Sequence, residues 1–142
     1  MDYSGQHLTK AERLHGFNVV QELFNKGTQA FIHPYKYYWK LMPFEQSSLR
    51  FMVSVPKRNF KKAVDRNRIK RLTREAWRRN NLKLKTELIS EKLTLNVALV
   101  FVGKSLPDFK ETEAKIILIL QRLSVLHAHH QKSSSDHPDS DY

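Results

Sequence analysis

The sequence contains no cysteine, and only four of its 142 residues are glycine. Without cysteine, disulfide bonds, thiolate metal sites and a thiol nucleophile are all excluded, and a cytoplasmic setting is expected. With so few glycines, the chain has no Gly-rich loop of the kind that cradles a nucleotide phosphate. Thiol chemistry and phosphate-loop nucleotide binding are therefore not expected functions.

Long hydrophobic runs are also missing. The longest strongly apolar stretches lie near residues 93–102 and 116–120, whereas a helix that crosses a bilayer needs about 20 apolar residues. The first ten residues, MDYSGQHLTK, have no apolar run after a basic start, so no signal peptide is expected. We expect a soluble chain that works without a membrane partner.

Apolar residues nevertheless make up 40% of the chain, which is enough for a folded core. The length predicts a single domain, which we expect over residues 10–126. A flexible N-terminus is expected at residues 1–9, and a disordered polar tail at residues 127–142. The tail is rich in histidine, but no carboxylate at helical spacing completes a metal site, so no metal-binding residue is predicted.

Positive charge is concentrated in one segment. The net charge is +11, and residues 57–79 alone hold eleven basic and only two acidic residues. A protein that is merely soluble spreads its excess charge, whereas a chain that binds a polyanion clusters it. The distribution therefore favours a nucleic-acid-binding surface at this segment.

Hydrophobic periodicity and turn signals predict a small set of helices and strands. They are a helix from about residue 10 to Gly27, a hairpin of strands 35–43 and 49–55, a basic loop at 57–62, a helix over 64–80, a strand over 94–102 and a helix over 108–126. Residues 82–92 are charged and fit either a loop or a helical continuation. The pattern is that of an α+β sandwich, with helices packed on a small sheet.

The basic helix divides into an apolar stripe and a cationic side. Ile69, Leu72 and Ala76 recur at three and four residues, so they are predicted to dock on the sheet with Trp77 at their flank. Arg66, Lys70 and Arg74 follow each other at four-residue spacing and line up on one side. Like charges stacked along a helix destabilise it by a few tenths of a kcal/mol per pair. A phosphate-binding surface explains why this helix nevertheless carries them.

Asn67 can both donate and accept hydrogen bonds, so it suits a ribose hydroxyl or a base edge. Charge alone does not separate RNA from DNA. A helix-turn-helix arrangement is disfavoured because the basic helix follows a strand and a loop. A membrane-surface helix would need a wider apolar face.

The run from Ala63 to Trp77, AVDRNRIKRLTREAW, resembles the Arg-Asn-Arg signature of the protein subunit of bacterial ribonuclease P. The likeness extends to Arg13-Leu14, to the segment FNKG that ends at Gly27 and to the segment SVPKR that ends at Arg58, so it covers roughly residues 10–124. It implies an αβββαβα fold, a two-layer sandwich with a small mixed sheet like the second domain of a small-subunit ribosomal protein. It also implies a left-handed βαβ crossover, although general sheet physics favours the right-handed form.

The resemblance further implies the activity. In that family the holoenzyme removes the 5′ leader from precursor tRNA, a catalytic RNA carries out the chemistry, and Mg²⁺ is held mainly by RNA phosphates. The protein alone would be inactive and would have no catalytic residue. The catalytic RNA and precursor tRNA would be its partners, and no obligatory protein partner is expected.

Matching motif positions give the implied RNA-binding residues Arg66, Asn67, Arg68, Lys70, Arg71 and Arg74. The basic loop adds Lys57, Arg58, Lys61 and Lys62, whose charge suits phosphate contact. The leader would lie in a cleft lined by Phe17, Val20, Phe24 and Tyr38. Val20 stands where many relatives have an aromatic residue, and Phe17, one turn earlier, is a candidate substitute. The alternative is that Phe17 and Phe24 simply fill the core.

The loop at 57–62 also departs from the family, since Lys61 occupies the position of a usual glycine and the loop is one residue longer. Two other functions remain open from the sequence. One is a non-catalytic RNA-binding ribosomal or assembly protein on a similar fold. The other is a self-sufficient protein nuclease, which the lack of a nucleolytic constellation disfavours.

Overall fold

A computed structural model describes the backbone of residues 10–136 and the side chains of residues 11–124. The expectations for residues 1–9 and 137–142 lie outside this part. After a 3₁₀ turn at Lys10–Glu12, the described elements are α1 (Phe17–Lys26), β1 (Thr28–Ile32), β2 (Tyr35–Pro43), β3 (Leu49–Ser54), α2 (Ala63–Asn80), α3 (Leu82–Glu91), β4 (Leu93–Phe101) and α4 (Phe109–Asp136).

The four strands form one mixed sheet in the order β1-β2-β4-β3. The pairs β1–β2 and β2–β4 are antiparallel, whereas β3 and β4 are parallel and joined through α2 and α3. The predicted α+β class and mixed sheet are confirmed. The left-handed sense of the crossover stays a prediction.

The predicted hairpin of strands 35–43 and 49–55 is wrong. Strand β2 turns back on β1, with Ile32 opposite Tyr35 across a two-residue turn, and β4 separates β2 from β3. Strand β1 is short and its TQAFI sequence shows little alternation, so periodicity missed it. Strand β4 is almost entirely buried. Its central position lets the backbone N–H and C=O groups along both of its edges form hydrogen bonds with a neighbouring strand.

The N-terminal helix begins later than predicted. Leu14 is not helical: its backbone N–H donates to the carbonyl of Phe51 at 2.9 Å, so this segment extends the sheet beside β3. Gly16 then takes a φ of 99°, a conformation that favours glycine. The chain leaves the sheet edge at this glycine and begins α1 at Phe17.

One face of the sheet carries the main core. Alternate strand residues such as Tyr37, Phe51 and Val97 point into it and pack against α2, α3 and α4. Trp77, predicted at the flank of the docking stripe, is fully buried and stacks on Phe51 with ring centroids 4.2 Å apart. Thr73 is the other buried residue that the apolar pattern missed, because it docks through a hydroxyl rather than a hydrocarbon side chain.

That Thr73 hydroxyl forms a hydrogen bond of 2.6 Å with the hydroxyl of Tyr35. Burial raises the pKa of Tyr35 to about 12, and the bond to Thr73 acts in the opposite direction. Leu72, by contrast, is only half-buried. The docking face of α2 is therefore Ile69, Thr73, Ala76 and Trp77 rather than the predicted stripe.

The later helices also differ from expectation. Residues 82–91 form a separate helix, α3, which buries Leu84 and Leu88 and adds one helix to the implied αβββαβα order. Helix α4 continues to Asp136, so the predicted helix end near 126 is wrong, and residues 127–136 of the expected tail are helical. None of the helices in the described part of the chain combines the length and hydrophobicity that a membrane span requires.

Candidate nucleic-acid interface

The second face of the sheet is covered by α1 alone among the described helices. Leu23 of α1 packs on Ala98 in a small cluster that is separate from the main core. Two adjacent rows of cross-strand neighbours on this face form the floor of a cleft beside α1, because directly opposed residues point to the same side of a sheet. The first row is Gln29, Tyr38, Ala98 and Met52, and the second is Phe31, Lys36, Val100 and Ser54.

The wall of the cleft is formed by α1. Phe24 meets Tyr38 edge to face, with ring centroids 4.7 Å apart, and Val20 packs in the same cluster. All three side chains are half-buried, so each keeps surface available for a ligand. The structure thus brings together three of the four predicted cleft residues.

Phe17 does not join them. It is the first residue of α1 and is 79% exposed, so it neither fills the core nor belongs to the Phe24 cluster. Phe17 and Phe24 are seven residues apart, about two helical turns, so both lie on the same side of α1. The suggestion that Phe17 replaces the missing aromatic at Val20 stays a prediction.

Lys36 supplies a positive charge inside the cleft. Its ammonium nitrogen lies 5.4 Å from the centre of the Tyr38 ring, a cation–π distance. On the other side of α1, Lys40 donates to Glu22 at 2.6 Å, and this hydrogen bond lowers the pKa of the Glu22 carboxyl. Sequence reasoning missed Lys36, although Lys36, Tyr38 and Lys40 alternate along β2 and so share a face.

The basic loop is anchored to the core. Phe60 is buried and packs against Phe101, with ring centroids 5.9 Å apart. Nη1 of Arg66 donates to the carbonyl of Phe60 at 2.7 Å and to that of Lys61 at 2.9 Å. The loop is therefore held both by the buried side chain of Phe60 and by the guanidinium of Arg66. Of the predicted contact residues in the loop, Lys57, Arg58, Lys61 and Lys62 are all exposed.

Helix α2 presents a run of exposed cations. Arg68, Arg71 and Arg74 are exposed, and none of them forms an ion pair with another described residue. Asn67 is exposed beside them, while Lys70 and Arg66 are half-buried. Uncompensated like charges on one helix are stabilised by an external polyanion.

The last turn of α2 is different. Arg78 forms an ion pair with Glu75. Arg79 lies 3.9 Å from a carboxylate oxygen of Glu113 and 5.2 Å from the ring centre of Phe109. These two arginines are held by contacts within the protein, so the cationic surface is formed by the N-terminal two-thirds of the helix.

A cavity of about 820 Å³ connects the two surfaces. Arg71 and Arg74 line it from α2, Arg13 and His15 line it from the segment before α1, and Met52 lines it from β3. Met52 also belongs to the floor of the cleft. Sequence reasoning did not select Arg13 or His15, because their position depends on the pairing of their segment with β3.

In the part of the chain that the structure describes, no three His, Asp or Glu side chains are grouped so as to hold a metal ion. The interface instead combines guanidinium groups, which bind phosphate, with aromatic rings, which stack on unpaired bases. These features define a basic α+β protein of the kind that binds nucleic acid.

The family model described as Ribonuclease P matches residues 8–124. The chain therefore belongs to the ribonuclease P protein family, and it is a protein component of this tRNA-processing ribonucleoprotein. The ribonuclease P protein component of Porphyromonas gingivalis is 33% identical over 118 residues, which cover 82% of this chain and 86% of that protein. The component of Pseudoalteromonas atlantica is 38% identical over 74 residues, or 52% of each chain.

Solved structures agree in fold. The RNase P protein of Staphylococcus aureus superposes with a TM-score of 0.59 at 20% identity, over 80% of this chain and 96% of that one. The RNase P protein of Thermotoga maritima gives a TM-score of 0.59 at 23% identity, over 78% of this chain and 96% of that one. At these sequence identities, the similarity shows a shared fold.

Proposed function

We propose that the chain binds two RNAs on two surfaces: the catalytic RNA of ribonuclease P on α2 and the basic loop, and the 5′ leader of precursor tRNA in the α1–sheet cleft. The observation that carries this proposal is the placement of α1 and α2. Helix α2 docks on the main core, whereas α1 packs against the opposite face of the sheet. Each RNA can then be bound without displacing the other.

The α2 surface suits a folded RNA. Its exposed arginines can each grip a phosphate with two parallel hydrogen bonds, which fixes orientation as well as charge. Arg66 acts here mainly as a positioning residue, since its Nη1 holds the loop that presents Lys61 and Lys62. The surface thereby extends from the helix to the loop as one cationic patch.

The cleft suits an unpaired strand. Tyr38 and Phe24 offer ring surface for stacking. The ammonium of Lys36, beside the Tyr38 ring, supplies a charge that can pair with a phosphate of the bound strand. Base stacking on an aromatic side chain contributes roughly 1–3 kcal/mol and tolerates any base. A leader of variable sequence requires such tolerance.

The chemistry itself is assigned to the RNA subunit. The described residues offer no fitting set of ligands for Mg²⁺, so we place this ion on RNA phosphates. The cations of α2 and the loop would lower the repulsion between RNA phosphates that opposes assembly. The enzyme would act in the cytoplasm on newly made precursor tRNA. The contribution of the protein is to bind and orient RNA.

The test is cleavage of precursor tRNA by the purified chain, by the catalytic RNA, and by the two together at low Mg²⁺. We expect no cleavage by the chain alone and strong stimulation of the RNA by the chain. Turnover by an RNA-free chain would overturn the assignment of the chemistry. Lack of any stimulation would instead favour a ribosomal or assembly role.

The Phe24→Ala variant tests the cleft separately. It should bind precursor tRNA more weakly within the holoenzyme while its affinity for the catalytic RNA stays the same. Phe44→Ala is the matched control, because Phe44 is an exposed phenylalanine beyond the far end of β2. An equal loss of both affinities in Phe24→Ala would indicate misfolding and contradict the cleft assignment.

A further inference from the structure

Phe31 on the edge strand β1 is 55% exposed and has no part in the core. Its neighbours Ala30 and Ile32 pack against the main core, so Phe31 points to the opposite face. Phe31 lies directly across from Lys36, and Lys36 reaches over the ring of Tyr38. Phe31 therefore shares the cleft face of the sheet with the residues proposed to bind the leader.

A second ring accompanies it. His33, at the turn between β1 and β2, is exposed and meets Phe31 edge to face, with ring centroids 6.1 Å apart. On β1, Gln29 lies opposite Tyr38, and Phe31 is two residues further on. Strand geometry puts Phe31 and Tyr38 about 8 Å apart along the diagonal, which a single nucleotide step can span.

The chemistry of this corner favours nucleic acid over a protein partner. A single exposed aromatic residue is ordinary on a protein surface. Here the ring adjoins a cation, Lys36, and continues a line of rings that begins at Phe24 and Tyr38. Alternating aromatic and cationic groups match the bases and phosphates of a single strand, whereas a protein partner would have to bury the ammonium of Lys36.

We propose that Phe31 and His33 form a second base-stacking site, which binds a nucleotide of the unpaired leader beyond the one at Tyr38. This inference rests on the proposed leader function of the cleft. Phe31 carries most of the stacking surface, and His33 supports the ring from the turn. Lys36 lies between the two stacking positions and contacts the connecting phosphate.

The experiment measures the affinity of the reconstituted holoenzyme for precursor tRNAs whose leaders range from about 2 to about 16 nucleotides, bracketing known single-strand site sizes. The variants are Phe31→Ala, Phe31→Trp and the control Phe44→Ala, whose side chain is similarly exposed at 52%. Phe31→Ala should weaken binding about fivefold or more, the value of one stacked base, and only for leaders above a threshold length. Phe31→Trp should restore the affinity, and Phe44→Ala should match the parent at every length.

Two results would overturn the inference while leaving the cleft intact. One is a Phe31→Ala affinity equal to that of Phe44→Ala at all lengths, in a series where Phe24→Ala does lose leader affinity. The other is a Phe31→Ala loss that is also present with leaderless tRNA, which would assign Phe31 to assembly or stability. If neither Phe24→Ala nor Phe31→Ala affects any leader, the cleft proposal itself fails, and the second site fails with it.

Discussion

The exposed arginines of α2 allow a quantitative test of the proposed RNA-binding surface. The perturbation is the joint replacement of Arg68, Arg71 and Arg74 with alanine. These three side chains form no ion pair with another described residue, so their removal leaves no buried partner unsatisfied. Alanine also has the highest helix propensity, and fewer like charges remain on the helix, so α2 should stay folded.

The expected magnitude follows from counterion release. Each phosphate contact contributes about 0.7 to the slope of log affinity against log salt for single strands, and about 0.9 for duplex. If each arginine contacts one phosphate, the triple variant should lose about 2 to 3 units of slope for the catalytic RNA. Across a fourfold rise in salt, the parent should then lose about 20- to 40-fold more affinity than the variant.

The assay is equilibrium binding of the chain to the catalytic RNA over a range of monovalent salt at fixed Mg²⁺. Arg79→Ala is the matched control on the same helix. Arg79 is also exposed, but it lies near Glu113 and over the ring of Phe109, and it faces α4. Its replacement should leave the slope unchanged, and circular dichroism should show intact helices in both variants.

Two outcomes would refute the reasoning. If the triple variant keeps the parent slope, the three arginines are solvated and α2 does not contact phosphate. If Arg79→Ala lowers the slope by about a third of the loss in the triple variant, the effect comes from net charge alone. A local contact surface predicts a difference between positions, and a diffuse electrostatic attraction does not.

Three further predictions concern the fold that carries these surfaces. Burial raises the pKa of Tyr35 to about 12, from about 10 in the unfolded chain. The contribution of Tyr35 to stability should therefore be fully present below pH 10 and be lost at about 1.4 kcal/mol per pH unit as the pH rises from 10 to 12. Tyr35→Phe should reduce this alkaline loss in urea unfolding, and an unchanged loss would contradict the assignment. Gly27→Ala should cost about 1–3 kcal/mol in thermal unfolding, because the new Cβ would lie 2.4 Å from the carbonyl oxygen of Leu23. Arg66→Ala should cost about 1–3 kcal/mol of stability, since two carbonyls of the basic loop lose their donor. Proteolysis within the loop should then become faster. Protection equal to that of the parent would show that the loop is held by other contacts.

Much of the fold could be predicted from local pattern. The basic helix was expected over residues 64–80 and is found at Ala63–Asn80, and β2 is found at the predicted residues. Strand pairing could not be predicted from those patterns, because β1 lacks alternation and the partner of β2 depends on which strand takes the sheet centre. The separate helix α3 was also undecidable, since its buried leucines lie in a charged segment.

The candidate cleft was predictable where the family resemblance supplied residue positions. Phe24, Val20 and Tyr38 meet as the resemblance implied, because their helix and strand pack on the same sheet face. Lys36 and Phe31 were missed because their shared face follows from the β1–β2 register, which the sequence pattern did not reveal. Residues that become neighbours through pairing are the ones that periodicity along a single element cannot find.

The unequal covering of the sheet connects these observations. One face is covered by α2, α3 and α4 and supplies most of the buried apolar surface. That surplus lets the other face keep only a small cluster around Leu23 and Ala98, so its aromatic rings and Lys36 stay accessible. Burial on the second face would add stability but remove the cleft. The same packing fixes α2 by its apolar side, and its arginines are thereby directed outward. The hydrophobic core thus determines where both proposed RNA surfaces lie, although it contributes no contact to either RNA.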